Sequence, residues 1–171
     1  LHSWEEPCIS GKNGSGTVFF SGCNLKCIFC QNYTLSHENF GREITVKRLS
    51  EIFLELQNQG AHNINLVTAT QYLPSVKEAL DLIKGRLTIP VVYNCGGYER
   101  PEILREYSGY IDIYLPDLKY YDSNLSQKYS AARDYFSKAS AAITEMIHLA
   151  GGLTWNPDSP SLLKKGVIIR H

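Results

Sequence analysis

Three cysteines occupy the eight-residue segment CNLKCIFC, at positions 23, 27 and 30. Thiolates are strong ligands for zinc and for iron–sulfur clusters. A disulfide uses two cysteines, whereas a closed metal site normally uses four ligands. Three cysteines match neither number. The spacing therefore predicts a metal centre whose ligand set is completed by something other than a neighbouring cysteine.

Zinc is one candidate for this centre, with His37 or Cys8 as the fourth ligand. Structural zinc sites usually consist of two separated pairs of ligands, and no second pair follows this triplet. An iron–sulfur cube fits the spacing better, because three thiolates bind three irons and leave one iron free for a substrate or cofactor. A role as small buried apolar residues is disfavoured by the polar residues around Cys23 and Cys30.

The composition indicates which partners and which cellular compartment are expected for this protein. The 171 residues include 17 Lys+Arg and 17 Asp+Glu, so the net charge gives no reason to expect nucleic acid or an anionic membrane as a partner. The sequence contains no run of about 18 apolar residues that would predict a membrane span, and its first residues do not resemble a secretory signal. Five cysteines, three of them in one loop, are typical of metal binding in a reducing compartment. We therefore expect a cytoplasmic protein.

The elements that must position the loop alternate between strands and helices. Apolar runs predict strands at 17–22, 64–70, 89–95, 110–118 and 166–171, and apolar stripes predict helices at 46–59, from 74 onward, at 101–107 and within 125–149. This alternation predicts βαβ units and a parallel sheet. Residues 1–171 are therefore expected to form a single α/β domain. An apolar last strand without a covering helix suggests that the natural chain continues.

Polar residues follow the predicted strands in chain order. Ligands gather at the carboxyl ends of parallel strands, because the loops there converge on one edge of the sheet. Those ends carry Cys23 and its partners, TAT at 68–70, NCGG at 94–97, PDLK at 116–119 and RH at 170–171. The sequence therefore predicts one functional face at this edge.

The cysteine spacing, with Phe29 before the third cysteine and a strand before the first, resembles the radical S-adenosylmethionine (radical SAM) superfamily. The resemblance implies a partial TIM-like βα barrel, truncated at its C-terminus in this chain. It also implies a 4Fe–4S cluster on Cys23, Cys27 and Cys30 whose fourth iron chelates S-adenosylmethionine. Reduction by an external donor of the flavodoxin or ferredoxin type would yield a 5′-deoxyadenosyl radical, so the protein would be an oxidoreductase.

Four longer segments, WEEPCISGKNGSGTVFFSGCNLKCIFCQNY, YNCGGYE, YLPDLKYYD and GVIIRH, resemble an uncharacterised group related to pyruvate formate-lyase activating enzymes. Those enzymes take a hydrogen atom from a glycine of a glycyl-radical enzyme, so the resemblance implies a protein substrate. Two alternatives remain open. One is a radical enzyme that acts on a small molecule, peptide or RNA, and the other is a non-enzymatic zinc-binding module.

The resemblance also implies cofactor-binding roles near the cysteine loop. Phe29 would flank the adenine, and Gln31 and Asn32 would hydrogen-bond the adenine or the cluster sulfurs. Thr68 occupies the place where many radical SAM enzymes carry a Gly-Gly-Glu stretch that meets the methionine amino group. The TAT sequence departs from that stretch because it brings no carboxylate.

Four further residues are implied at the later strand ends. Lys119 would bind the methionine carboxylate, and Asp117 would lie near the ribose or a cation. Arg170 matches an arginine that contacts S-adenosylmethionine in relatives. Asn94 would lie near the methionine moiety, where the activating enzymes often have an acid. No catalytic residue is assigned beyond the cluster ligands.

Overall fold

Six strands form one sheet, and five of them run parallel. The computed structural model describes residues 1–171. The strands are β1 (Gly16–Phe19), β2 (Ile64–Val67), β3 (Val91–Cys95), β4 (Ile113–Pro116), β5 (Thr154–Asn156) and β6 (Ser159–Val167). Their order is β1-β2-β3-β4-β6-β5, and only β5 runs antiparallel to its neighbour. The predicted α/β architecture is confirmed, and the sheet is open rather than closed into a barrel.

Helices connect the parallel strands. They are α1 (Pro7–Ser10), α2 (Tyr33–Ser36), α3 (Val46–Asn58), α4 (Leu73–Leu82), α5 (Pro101–Tyr107), α6 (Ser123–Ser130) and α7 (Tyr135–Ala150). Short 3₁₀ turns lie at Thr70–Tyr72 and Ser108–Tyr110. No helix combines the length and the apolar composition that a membrane span would need.

Helix α3 begins and ends where local chemistry favours it. The Thr45 hydroxyl accepts a hydrogen bond from the backbone N–H of Arg48 at 3.1 Å, which satisfies one of the free donors at the helix start. Leu49 and Phe53 lie on one face of the helix and are buried in the main core. Gly60 follows the helix with a φ of 88°, a backbone conformation that favours glycine. The predicted helix over 46–59 is therefore confirmed.

The sheet is covered on both faces, which explains why its central strands are mostly apolar, with the buried Asn65 and Asn94 as polar exceptions. The larger core packs α3, α4, α5 and α7 against the outer face. A smaller cluster on the inner face contains Ile9, Val92, Ile113, Leu115 and Leu163. Helix α1 packs on β6 and so carries the N-terminal segment across this inner face.

The last strand differs from the prediction. The expected strand 166–171 forms only in part, because β6 starts at Ser159 and ends at Val167. Beyond it, Arg170 forms a single parallel bridge with Asp117. The antiparallel strand β5 was not predicted, since its exposed residues lack the apolar alternation that identifies a strand.

Candidate functional site

The carboxyl ends of the parallel strands bring the predicted polar residues to one edge. Asn94, the penultimate residue of β3, is the register partner of Val67 in β2 and of Leu115 in β4. Its carbonyl accepts the N–H of Thr68 at 2.9 Å. The N–H of Asp117 bonds the carbonyl of Cys95 at 3.0 Å. Parallel pairing therefore continues one residue past the ends of β2 and β4. It aligns Thr68, Asn94 and Asp117 along one edge of the sheet.

Arg170 is the centre of a charged network at this edge. Its Nε donates to Oδ1 of Asp117 at 2.8 Å, and Nη2 donates to Oδ1 of Asn94 at 2.7 Å. The carboxylates of Glu5 and Glu6, which precede α1, lie 3.9 and 3.8 Å from the guanidinium. The network therefore joins β3, β4, the segment after β6 and the N-terminal segment through one cation.

Asp117 binds two cations at once. Its Oδ1 accepts from Arg170, while its Oδ2 accepts from the ammonium of Lys119, two residues further on. The Tyr135 hydroxyl bonds the carbonyls of Gly96 and Asp117 and accepts the N–H of Lys119, at 2.8, 2.8 and 3.0 Å. The backbone around Asp117 is thus held by a buried phenol, and both cations are oriented by one carboxylate.

The cysteine loop is fixed to the junction between α6 and α7. The N–H of Lys26 bonds the carbonyl of Ser130 at 3.1 Å, and the N–H of Ile28 bonds the carbonyl of Tyr129 at 2.9 Å. Leu25, a buried residue of the loop, packs in a cluster with Cys27 and Tyr135. The loop is therefore positioned by packing and by backbone hydrogen bonds.

Each of the three thiols has a different hydrogen-bond partner. The Cys23 sulfur accepts the N–H of Leu25 at 3.4 Å, and the Cys27 sulfur accepts the hydroxyl of Ser130 at 2.9 Å. The Cys30 sulfur lies 3.1 Å from the Ser36 hydroxyl. Burial raises the pKa of the Cys23 thiol above its usual range.

The donor set of this loop fits an iron–sulfur cluster. Cys23 and Cys30 pack against the cluster of side chains that contains Cys27, so the three sulfurs share one environment. Each sulfur lies next to a group able to hydrogen-bond it, and such hydrogen bonds help to set the reduction potential of protein-bound clusters. The chain contains no group of three His, Cys, Asp or Glu side chains arranged closely enough to hold a single metal ion.

The two residues considered as a fourth zinc ligand lie in different places. Cys8 packs against the inner-face cluster and not against the cysteine loop. His37 stacks on Tyr33 with ring centroids 4.3 Å apart, and its Nδ1 lies 2.8 Å from the Ser36 hydroxyl. The Ser36 hydroxyl therefore lies between His37 and the Cys30 sulfur.

The predicted adenine-binding residues lie on the outside of the loop. Phe29 is 55% exposed, and its ring meets the edge of Tyr120 at a centroid distance of 6.4 Å. Gln31 and Asn32 are exposed and make no side-chain hydrogen bond within the chain. Thr68 adopts a φ of 60°, an unusual backbone conformation for a residue with a branched side chain. These four side chains do not join the Arg170 network.

The structure adds Glu99, a residue that the sequence analysis missed. Glu99 is only 2% exposed, its Oε1 accepts from the Thr70 hydroxyl at 3.3 Å, and its Oε2 has no partner. Burial raises the pKa of this carboxyl to about 7. Asn24, from the cysteine loop, and Cys95 lie beside it. A glutamate in a polar loop before Pro101 gives no sequence signal of burial.

Cys95 and His171 also lie near the site. Cys95 is buried, and burial raises the pKa of its thiol well above the usual range. Such a thiol is a small core residue rather than a nucleophile. His171 follows Arg170, and its Nδ1 lies 2.6 Å from the carbonyl oxygen of Leu118.

Parallel strands joined by helices, in an open sheet, place this chain in the class of partial βα barrels. In that class the ligand-binding groups lie at the carboxyl ends of the strands, as the thiols, cations and amides do here. The family model of the radical SAM superfamily matches residues 17–154, which is most of the chain. The chain therefore belongs to the radical SAM superfamily. This superfamily uses a 4Fe–4S cluster and S-adenosylmethionine.

Two solved structures and one sequence relative can be compared with this chain. The structure of methylornithine synthase (PylB) superimposes with a TM-score of 0.56 and 17% identity, covering 78% of this chain and 41% of that one. The structure of Streptococcus suis SuiB bound to S-adenosylmethionine superimposes with a TM-score of 0.50 and 14% identity. The match covers 79% of this chain and 31% of that one. At these identities the similarity shows the fold alone.

The sequence relative is the uncharacterized protein MJ0674 of Methanocaldococcus jannaschii. It is 31% identical over 145 residues, which cover 80% of this chain and 41% of that protein. The chain thus spans about two fifths of the length of the curated relative that it matches.

Proposed function

We propose that this chain is the cofactor-binding part of a radical SAM enzyme. One observation carries the proposal: the three thiols of the cysteine loop and the Asp117–Arg170 network lie at the same edge of one parallel sheet. A thiolate site beside fixed cations suits a cluster together with a ligand that carries a carboxylate.

Cys23, Cys27 and Cys30 would hold the 4Fe–4S cluster. When bound, the cluster and S-adenosylmethionine supply one-electron reductive cleavage, which provides the radical that removes a hydrogen atom from a substrate. The chain contributes the ligands, the hydrogen bonds to their sulfurs and a loop held firmly against α6 and α7.

Lys119, Arg170, Asp117 and Asn94 would bind and orient S-adenosylmethionine. Asp117 holds both cations in place, so that their remaining N–H donors would be positioned for a ligand carboxylate. The Asn94 amide oxygen accepts from Arg170. A carboxylate at this position would add a negative charge that the amide does not.

Phe29, Gln31, Asn32 and Thr68 would form the outer part of the cofactor site. The exposed ring of Phe29 offers an apolar face next to the third cysteine, which suits an adenine. The free amides of Gln31 and Asn32 offer both donors and acceptors. Thr68 supplies a hydroxyl at the end of β2.

The substrate proposed on sequence resemblance is a glycine of a glycyl-radical enzyme, with an external flavodoxin- or ferredoxin-type protein as electron donor. The support consists of the four segments quoted above, which extend beyond the cysteine triplet. A small molecule, a peptide or RNA is the alternative substrate. The fold similarity does not distinguish between these substrates, because the barrel is shared.

Anaerobic reconstitution with iron and sulfide tests the proposal. The expected result is a brown protein with about four irons and four sulfides per chain, which releases 5′-deoxyadenosine from S-adenosylmethionine after reduction. Cys23→Ala, Cys27→Ala and Cys30→Ala should each lose the cluster, whereas Cys8→Ala, outside the loop, should retain it. A colourless protein that binds one zinc ion would overturn the proposal.

The substrate class needs a separate measurement. A candidate glycyl-radical enzyme deuterated at glycine should transfer deuterium to 5′-deoxyadenosine and develop a glycyl-radical EPR signal. Cofactor cleavage without transfer from the protein, but with transfer from a deuterated peptide or small molecule, would exclude the activating role.

A further inference from the structure

Ser130 makes an unusual contact for a helix-terminal serine. It is the last residue of α6 and is 1% exposed, and its hydroxyl donates to the sulfur of Cys27 at 2.9 Å. The carbonyl of the same residue accepts the N–H of Lys26. The hydroxyl and the carbonyl of Ser130 are therefore both directed at the cysteine loop, from a part of the chain about a hundred residues away.

Tyr120 lies on the other side of the Ser130 hydroxyl and can supply the donor that this direction requires. Its hydroxyl lies 2.8 Å from the Ser130 hydroxyl. A serine hydroxyl has one proton, so if it donates to sulfur it must accept from the phenol. The result is a chain of donors from Tyr120 to Ser130 to the Cys27 sulfur, and successive hydrogen bonds of this kind polarise one another.

The other two sulfurs lack an equivalent arrangement. The Cys23 sulfur accepts a backbone N–H at the longer distance of 3.4 Å. The Ser36 hydroxyl beside Cys30 also lies 2.8 Å from Nδ1 of His37 and 3.4 Å from the Tyr33 carbonyl, so it has competing partners. The Cys27 sulfur is the one whose neighbouring hydroxyl, that of Ser130, donates to sulfur and lies next to a phenol, whereas Ser36 lies next to a ring nitrogen whose role depends on the tautomer.

We propose that Ser130 raises the reduction potential of the cluster by hydrogen-bonding the Cys27 ligand, with Tyr120 orienting Ser130. The inference rests on the proposed function. One-electron reduction adds negative charge, part of which lies on the ligand sulfurs. A donor at a ligand sulfur therefore stabilises the reduced cluster more than the oxidised one. Ser130 and Tyr120 are positioning residues and not ligands.

An EPR-monitored redox titration of the reconstituted protein tests this inference, with dithionite as reductant. In Ser130→Ala the equilibrium constant for reduction should fall about three- to tenfold, where tenfold corresponds to 59 mV for one electron. Tyr120→Phe should shift the potential in the same direction by a smaller amount. The double variant should match Ser130→Ala, because Tyr120 acts through Ser130. Ser130→Thr keeps the hydroxyl and should restore the wild-type potential.

Two control variants separate this effect from general loss of structure. Ser126→Ala removes a buried hydroxyl from the same helix that donates only to the Ser123 carbonyl, and Tyr121→Phe alters the exposed neighbour of Tyr120. Both should keep the wild-type potential and iron content.

The outcomes also separate this inference from the proposed function. A wild-type protein that binds no cluster overturns the proposed function itself. A Ser130→Ala protein with full iron content and an unchanged potential overturns the inference alone. A shift in Tyr120→Phe without one in Ser130→Ala would do the same.

Discussion

Arg170 and Asp117 are linked twice, by a parallel backbone bridge and by a side-chain hydrogen bond of 2.8 Å. The bridge comes after the regular strand β6 has ended at Val167. The side-chain bond therefore lies at the point where regular pairing stops, and it positions the cation rather than extending the sheet.

Arg170→Ala should weaken the binding of S-adenosylmethionine by about tenfold or more, ~1.4 kcal/mol, because the guanidinium is lost and Lys119 is left as the sole partner of Asp117. Unfolding free energy should fall by about 1–3 kcal/mol, since acceptors of Asp117 and Asn94 lose their donor. The affinity of the reconstituted protein for S-adenosylmethionine is measured by isothermal titration calorimetry. Arg48→Ala, which removes an exposed ion pair with Glu55 on α3, is the control and should leave the affinity unchanged. Equal affinities of wild type and Arg170→Ala would contradict the assigned role.

Gly97→Ala should be strongly destabilising. Gly97 has a φ of 79°, and a Cβ there would overlap the carbonyl oxygen of Asp117. Left-handed backbone and steric overlap together should lower the unfolding free energy by about 2–5 kcal/mol, measured by urea denaturation. Gly85 has the same φ of 79° with nothing within 4 Å of the added Cβ, so Gly85→Ala isolates the backbone cost at about 1–2 kcal/mol. Similar losses in the two variants would show that the site backbone tolerates a Cβ.

Glu99 should make the metal-free protein less stable as the pH rises from 4.5 to about 7. The folded protein keeps this carboxyl protonated up to about pH 7, whereas the unfolded chain releases the proton near the usual value of 4.5. The folded state therefore binds more protons in this window, and stability falls with pH by about 3 kcal/mol.

The Glu99 prediction is measured by urea unfolding of wild type and Glu99→Gln at several pH values. The difference in unfolding free energy between them should change across the window and stay constant above it. Glu78→Gln, exposed on α4, should follow the wild-type pH dependence. A constant difference between wild type and Glu99→Gln at all pH values would contradict the raised pKa.

Tyr135→Phe should lower the unfolding free energy by about 1–3 kcal/mol, because buried groups of Gly96, Asp117 and Lys119 lose their shared partner. Amide hydrogen exchange at Lys119 should become faster. Tyr121→Phe, 81% exposed, is the matched control and should change neither quantity. Unchanged exchange at Lys119 in Tyr135→Phe would show that the phenol does not hold this backbone.

The parallel sheet and the gathering of polar residues at one of its edges could be predicted, because the strands show in the local apolar pattern. The stripe of Leu49 and Phe53 identified α3, and apolar runs identified β2, β3 and β4. Once the strands were parallel, their ends had to share an edge. The proximity of Asn94, Asp117 and Arg170 followed from topology.

The residues that were missed depend on contacts between distant segments. Glu99 is buried because the Thr70 turn and the cysteine loop cover it, and Ser130 reaches Cys27 across about a hundred residues of chain. Neither glutamate nor serine signals burial by its type. Strand β5 was missed because it pairs with β6 at the sheet edge, where side chains stay exposed and the apolar pattern is weak.

The packing of α1 on β6, with Glu5 near Arg170, has a consequence for how the chain folds. Contacts between segments so far apart close a very long loop, and topologies rich in such contacts fold slowly. Helix α1 precedes β6 in the chain by about 150 residues, so during synthesis its contacts with β6 cannot form until that strand has been made. The docking of α1 against β6 is therefore expected to be a late folding event.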